Sequence, residues 1–258
     1  MKYALEEGVA VITLNRTRVL NSINRQMAQE FQQALGLCAQ DDAVRTVLLT
    51  AAGDAFCAGQ DLKEVLPKEG APPPVLGETV EVSYNPIILA IRNLEKPVIC
   101  TVNGVAAGAG ANIALACDLV IASEKAEFVQ SFSALGLIPD SGGTFFLPRL
   151  VGLPRATAMA MLGEKLKAKD AQAMGLIYRA EPHTKYMDDA MALAKKMATQ
   201  PTRGFGLTKR AFNQSMGNDL ETQLKLERDL QTELGEGYDY NEGVAAFLEK
   251  RKPVYKGK

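Results

Sequence analysis

Apolar and polar positions alternate at the start of the chain. Residues 3–5 and 9–14 read as two short strands turning at Glu7-Gly8, where glycine supplies the backbone freedom of a tight hairpin. After an Asn/Arg/Thr loop, the spacing of apolar positions predicts a helix over about residues 24–39. The β-branched run at 45–50 predicts a buried strand, broken by Ala51-Ala52-Gly53-Asp54 into a loop that leads to Cys57-Ala58-Gly59-Gln60-Asp61-Leu62. Residues 67–74, with three consecutive prolines, form the best candidate for a mobile excursion. Helical order resumes over about 75–93, a second buried strand is predicted at 97–102, the small-residue run 104–116 leads into a helix, and a third strand falls at 119–121.

This alternation implies an α/β domain over residues 1–197, and the shortage of long strands suggests a coiled stack of short units. From residue 201 onward the pattern is helical throughout, so residues 198–258 form a separate helical region. Its apolar stripes need a partner, either a second copy or the chain's own core: Phe205 and Leu207; Leu220, Leu224, Leu230 and Leu234; Val244, Phe247 and Leu248. No internal repeat stands out.

With 258 residues, 47% of them hydrophobic, and a formal charge of -1, the chain can bury a substantial core without staples. Cys38, Cys57, Cys100 and Cys117 are widely spaced, with no Cys-x-x-Cys pair, which argues against a zinc site or a disulfide scaffold and for a reducing cytoplasm. The N-terminus lacks an apolar signal core, and no run approaches the ~18 apolar residues that span a bilayer. A balanced charge argues against a dedicated nucleic-acid binder; the nearest basic cluster, Lys165-Leu166-Lys167-Ala168-Lys169, is short and followed by Asp170. The one histidine, His183, follows a proline and reads as a surface or capping residue, which leaves no Ser-His-Asp triad.

Candidate chemistry concentrates in three loops. The segment Gly136-Leu137-Ile138-Pro139-Asp140-Ser141-Gly142-Gly143 sets one carboxylate in a Gly/Pro turn within apolar sequence. Desolvating Asp140 there raises its pKa toward the range useful for proton transfer; alternatively, Asp140 or Ser141 caps a helix over 144–150. The run Asn103-Gly104-Val105-Ala106-Ala107-Gly108-Ala109-Gly110-Ala111 opens a helix with side-chain-free backbone, whose unpaired N–H groups suit an anion, although tight helix packing also accounts for its small residues. It lacks the third glycine of a dinucleotide fingerprint, at Ile113, and the Gly-Lys-Ser/Thr of a P-loop. In the third loop, Gly59 permits unusual dihedrals, so the Gln60 N–H can turn toward a ligand. If the Gln60 and Ala109 amides converge, they form an oxyanion hole worth about 3–4 kcal/mol per donor.

Taken in order, Asn15-Arg16 with Leu20-Asn21, the Phe56 to Leu62 loop, Lys96-Pro97-Val98-Ile99-Cys100, the Asn103 run and the Gly136 to Gly143 segment resemble the crotonase (enoyl-CoA hydratase/isomerase) superfamily over nearly the whole chain. The resemblance implies an α/β crotonase (ClpP-like) spiral of ββα units with a C-terminal helical trimerisation region, a homotrimer or hexamer, and an acyl-CoA thioester whose carbonyl sits in the two-amide hole. Coenzyme A is then part of the substrate, and neither a separate cofactor nor a metal is expected.

Enoyl-CoA hydratases of the superfamily carry two glutamates that handle water; the matching positions here are Asn112 and Phe132, which cannot shuttle protons. Asp140 stands where the isomerases carry their acid/base and where 4-chlorobenzoyl-CoA dehalogenase carries its nucleophile, although the dehalogenase's histidine base is missing here. Gly59-Gln60-Asp61-Leu62, Tyr84-Asn85-Pro86, Leu137-Ile138-Pro139-Asp140 and Glu227-Arg228-Asp229 are most similar to the branch that isomerises ring 1,2-epoxyphenylacetyl-CoA in aerobic phenylacetate degradation and shifts double bonds of enoyl-CoA intermediates. The alternatives are a Δ3,Δ2-enoyl-CoA isomerase or hydratase of fatty acid oxidation and, in another class, an RNA-binding or scaffold homologue. By the same resemblance Arg18, Val19, Ala58, Leu62 and Lys250 contact coenzyme A, and Gln60, Asp61, Val105, Ala109 and Phe132 complete the substrate contacts, with helix capping as the main role of Asp61.

Overall fold

The computed structural model describes residues 1–66 and 74–258, so all but the last residue of the proline-rich stretch lies outside the described residues. Ten strands are described: β1 Lys2–Glu6, β2 Val9–Leu14, β3 Thr46–Ala51, β4 Ala55–Cys57, β5 Val98–Val102, β6 Val105–Ala107, β7 Leu119–Ser123, β8 Glu127–Val129, β9 Leu166–Lys167 and β10 Arg179–Glu181. The α-helices among them are α1 Arg25–Gln40, α2 Leu76–Thr79, α3 Asn85–Asn93, α4 Ala109–Ala116, α5 Gly143–Val151, α6 Leu153–Leu162, α7 Ala168–Ala173, α8 Tyr186–Ala198, α9 Thr202–Ser215, α10 Leu220–Gly235 and α11 Tyr238–Glu249.

The strands form two sheets, one ordered β1-β2-β3-β5-β7-β10 and one ordered β4-β6-β8-β9. The chain lays β3, β5 and β7 side by side in the first, and after each it places β4, β6 or β8 in the second before a helix returns it. This winding is the expected spiral of ββα units. The hairpin of β1 and β2 is antiparallel with positive φ at both Glu7 and Gly8, and β2, β3, β5 and β7 then pair in parallel. Both faces of the larger sheet are covered, which is why β3 and β5 read as continuous apolar runs rather than alternating ones. Val47 and Leu49 belong to the main core together with Met27, Phe31 and Leu35 of α1, whereas Val9, Leu48, Ile99 and Ile121 share a second cluster with Ala190, Ala194 and Ala198 of α8.

Several sequence expectations are amended. β4 and β6 lie in runs read as loop and small-residue lead-in, because three-residue strands are too short to carry a period. The helix expected over 75–93 is interrupted by a π-helical turn at Val80–Tyr84. The tail is not helical to its end: beyond α11, residues 252–258 run without helix, held where the Lys256 and Gly257 N–H groups donate to the Asp239 carboxylate at 2.6 and 2.8 Å. The leucine stripe of α10 is split, since Leu230 packs on its own chain while Leu220 and Leu224 are 74% and 55% exposed. Against the core, α9 is held by buried Lys209, whose ammonium donates to Asp118 at 2.8 Å beside the Arg92–Asp118 pair at 3.3 Å.

Candidate active site

Gly59 has φ +90°, and a Cβ there would lie 3.0 Å from the Ala107 carbonyl oxygen, so close approach and backbone conformation both demand glycine. The Ile23 N–H donates to Gly59 O at 2.7 Å and the Asp61 N–H to Ile23 O at 3.0 Å, which pins the peptides on either side of Gln60. The N–H of Gln60 is left with no acceptor among the described residues. The same holds for the N–H of Ala109, the first residue of α4, as follows from its place in the first helical turn. A Cβ on Gly59 would lie 3.7 Å from Ala109 N, so the start of α4 packs against the residue that precedes the Gln60 amide.

Helix α4 is buried along its whole length, and Asn112 is its one polar side chain within the core. At Gly110 a Cβ would meet Cys57 O at 2.5 Å, and at Gly104 a Cβ would meet Asp54 O at 1.9 Å. The small-residue run therefore does serve tight packing, and the packing in turn is what brings the Ala109 amide to Gly59.

Asp140 precedes a left-handed pair, Ser141 at φ +50° and Gly142 at φ +78°. That turn swings its main-chain carbonyl onto α5, where it accepts the Gly143 N–H at 2.8 Å. The N-cap of α5 is Gly142 with no side-chain cap, so neither Asp140 nor Ser141 caps the helix through its side chain. The Asp140 carboxylate instead accepts the Ser141 hydroxyl at 2.9 Å. Burial pushes its pKa above the ordinary value of 3.8, with the Ser141 hydroxyl and its own backbone N–H opposing the rise. From α4 the Asn112 side chain donates to Asp140 O at 2.8 Å, which joins the carboxylate loop to the helix that carries Ala109.

Tyr84 figures in the sequence only within the Tyr84-Asn85-Pro86 motif of the resemblance, with no role of its own, and Gln130 is passed over. Tyr84 lies buried at the end of the π-helical turn, its hydroxyl 3.4 Å from Ile23 O, and its pKa is raised by burial, then by Cys57 and Asp140. A π-turn shifts the helical register, so no 3.6-residue pattern could have flagged it. Gln130 follows β8 beside Ser131, is itself buried between two half-buried neighbours, and carries no pattern in the sequence that marks it.

The other expected contacts spread outward from this centre. Arg18 and Val19 lie in a 3-10 turn, Thr17–Val19, whose next residue, Leu20, accepts the Ala58 N–H at 3.0 Å. Asp61 caps the 3-10 turn Leu62–Glu64 through the Lys63 N–H at 3.2 Å and pairs with Arg16 at 2.9 Å. Leu62 is exposed, Val105 half-buried, and the buried Phe132 ring lies 3.6 Å from the space beside Gly108. Lys250 sits at the exposed end of α11 and shares no hydrogen bond or ion pair with these groups among the described residues. His183 is exposed at the surface, Nδ1 2.9 Å from Ser123 Oγ. Lys165 and Lys169 pair with Glu127 and Glu124, which breaks up the basic cluster. Among the described residues no group of three or more His, Cys, Asp or Glu could hold a metal ion, and no helix is long and apolar enough to cross a membrane. A cavity of about 800 Å³ lies away from Asp140, between α9, α10, α11 and the tail, with Leu234, Tyr240, Val244, Phe247 and Leu248 in its wall.

A ββα spiral that sets a glycine-freed amide against the N-terminus of a buried helix, with a half-buried carboxylate's loop tied to that helix by Asn112, defines the class: the chain belongs to the enoyl-CoA hydratase/isomerase family, whose model matches residues 4–258. Among its relatives is the 1,2-epoxyphenylacetyl-CoA isomerase of Escherichia coli (strain K12), 50% identical over 98% of this chain and 97% of that protein. A protein of Rhodobacter capsulatus named "Probable enoyl-CoA hydratase" is 46% identical over 100% of this chain and 98% of that one. The crystal structure of an enoyl-CoA hydratase from Polaromonas sp. JS666 superposes with a TM-score of 0.93 at 32% identity, covering 98% of each chain.

Proposed function

We propose that this protein is an acyl-CoA isomerase that converts ring 1,2-epoxyphenylacetyl-CoA to its oxepin form and shifts the double bond of enoyl-CoA thioesters, with Asp140 as its acid/base. The observation that carries this reading is that Asp140 is a half-buried carboxylate, its pKa raised by burial, whose main-chain carbonyl is tied to α4 by Asn112, while Asn112 and Phe132 occupy the two positions where hydration needs acids. Both reactions are isomerisations, so reactant and product balance without an added cofactor or water. For the enoyl substrate, the Asp140 carboxylate takes a proton from the carbon between thioester and double bond. The electron pair moves into the thioester as a dienolate whose oxygen is held by the Gln60 and Ala109 amides. The carboxylic acid so formed returns the proton to the far carbon, and the double bond comes into conjugation.

Arg18, Val19, Ala58, Asp61, Leu62 and Val105 line the approach for coenzyme A, Phe132 bounds the acyl group, and Lys250 reaches the nucleotide of a neighbouring subunit in a cytoplasmic trimer or hexamer. The exposed Phe247 and Leu248 beside the C-terminal cavity support an oligomer built on this face. Turnover of the ring epoxide, of a linear 3-enoyl-CoA and of crotonyl-CoA, measured side by side, tests the proposal. Epoxide turnover upholds it, exclusive turnover of the linear substrate assigns the protein to fatty acid oxidation, and hydration faster than either isomerisation overturns it.

A further inference from the structure

Asn112 and Gln130 form a buried amide pair whose one further side-chain hydrogen bond among the described residues goes to the Asp140 loop. The Gln130 Nε2 donates to Asn112 Oδ1 at 2.8 Å, and Asn112 Nδ2 donates to Asp140 O at 2.8 Å. Asn112 is wholly buried and Gln130 is 1% exposed. The chain of donors has one sense: a carbonyl can only accept, so Asn112 must present its NH₂ to Asp140, its oxygen then faces Gln130, and Gln130 must present its own NH₂ in turn. Gln130 Oε1 is left without a partner among the described residues, a cost that a purely structural pair could avoid by replacing both amides with apolar groups.

The loop held by this pair needs holding. Ser141 sits at φ +50°, a conformation that a residue with a Cβ adopts only when its surroundings impose it. Asp140 O is clamped from two sides, by the Gly143 N–H of its own helix and by Asn112 of α4. The clamp is tight, since a Cβ on Gly143 would meet Asn112 Nδ2 at 2.4 Å. Asn112 lies three residues beyond Ala109 on the same helix, so one rigid turn of α4 carries both the amide proposed for the oxyanion hole and the donor that fixes the backbone of the proposed base.

We propose that Asn112, oriented by Gln130, is the positioning residue that sets the place of the Asp140 carboxylate relative to the Ala109 amide. This rests on the reading of Asp140 as the acid/base. The pair contributes no proton transfer; it fixes the separation between the atom that takes the proton and the atoms that hold the thioester oxygen. A base misplaced by about 1 Å loses on the order of 10²-fold in rate while substrate affinity, set along the coenzyme A path, is retained.

The test is a double-mutant cycle of Asn112→Leu and Asp140→Asn on the full chain, read as kcat and KM for isomerisation of a 3-enoyl-CoA. Asn112→Leu is expected to lower kcat by about 10²-fold with KM within about threefold of wild type, and to cost nothing further in the Asp140→Asn background, where no base remains to be placed. Gln130→Met, which leaves Asn112 in place but unoriented, is expected to show a smaller loss of kcat in the same direction and keeps the test readable should Asn112→Leu fail to fold. A loss that is the same with and without Asp140 overturns the proposal and makes the pair a core contact. Unchanged kcat in Asn112→Leu, with turnover lost in Asp140→Asn, overturns it while leaving Asp140 as the base. Full activity of Asp140→Asn removes the base itself and the proposal with it.

Discussion

Replacing Gly59 by alanine probes the amide pair without touching a side chain. Alanine at φ +90° is strained, and such a residue costs on the order of 1–3 kcal/mol of stability. Its methyl would stand 3.0 Å from Ala107 O, a few tenths of an ångström inside ordinary contact, and 3.7 Å from Ala109 N. Relief requires the 59–61 segment to move off β6, and the Ile23 bonds on either side of Gln60 oppose a translation, so the peptide of Gln60 tilts instead. A tilt weakens the Gln60 donor without abolishing it. Complete loss of one oxyanion donor costs ~10²–10³ in kcat, so the expected loss lies between about tenfold and that limit. Gly175→Ala is the control, with φ +81° and its nearest neighbour 3.7 Å away: it carries the backbone strain but sits in the turn between α7 and β10. The assay is single-turnover isomerisation of a 3-enoyl-CoA beside urea denaturation of both variants. Equal loss of stability with loss of turnover only in Gly59→Ala is the expected pattern. If Gly59→Ala isomerises within twofold of wild type, the amides at 60 and 109 are not holding a developing oxyanion.

Asp140→Asn is expected to keep coenzyme A affinity by calorimetry and to lose ~10²–10⁴ in isomerase turnover, since the amide keeps the shape but cannot accept a proton; turnover within threefold of wild type would place the base elsewhere. The same variant bears on stability. The folded pKa of Asp140 is raised, so its favourable contribution is present below the ordinary value of 3.8 and is lost as pH rises through the raised value; Asp140→Asn should match wild type in acid and exceed it at neutral pH, as denaturation at several pH values will read. Hydration of crotonyl-CoA should be slower than isomerisation by orders of magnitude, and rapid formation of the 3-hydroxy product by wild type would sink that expectation. Removing the half-buried partner of Lys209, as in Asp118→Ala, leaves the buried ammonium with only the Lys96 carbonyl at 3.4 Å and is expected to cost stability in urea denaturation, at most the about 3–5 kcal/mol of a fully buried broken pair, loosening α9 from the core. Light scattering should find a trimer-based oligomer at micromolar concentration and its dissociation in Phe247→Glu, because Phe247 is 83% exposed in the single chain; a stable, active wild-type monomer would contradict the proposed assembly.

What the sequence determined by itself were the features that local chemistry dictates. The hairpin at Glu7-Gly8, helix α1 and the buried runs of β3, β5 and β7 follow from turn chemistry, periodicity and the apolarity of strands covered on both faces. Gly59, Gly108 and the Asp140 turn were legible because a glycine or a carboxylate in apolar sequence is costly unless something requires it. The short strands β4 and β6 were not, since three residues carry no period and exist only because the second sheet pairs them. Nor were the π-turn that places Tyr84, the split of the α10 leucines between core and solvent, or the Asn112–Gln130 pair. These depend on which segments meet after the chain has wound three times through two sheets. Asn112 and Gln130 are 18 residues apart, and Asn112 and Asp140 are 28 apart. Hydrogen bonds over such separations leave no mark in local pattern, because their partners are chosen by the packing of α4 against its neighbours and not by any residue's own preference.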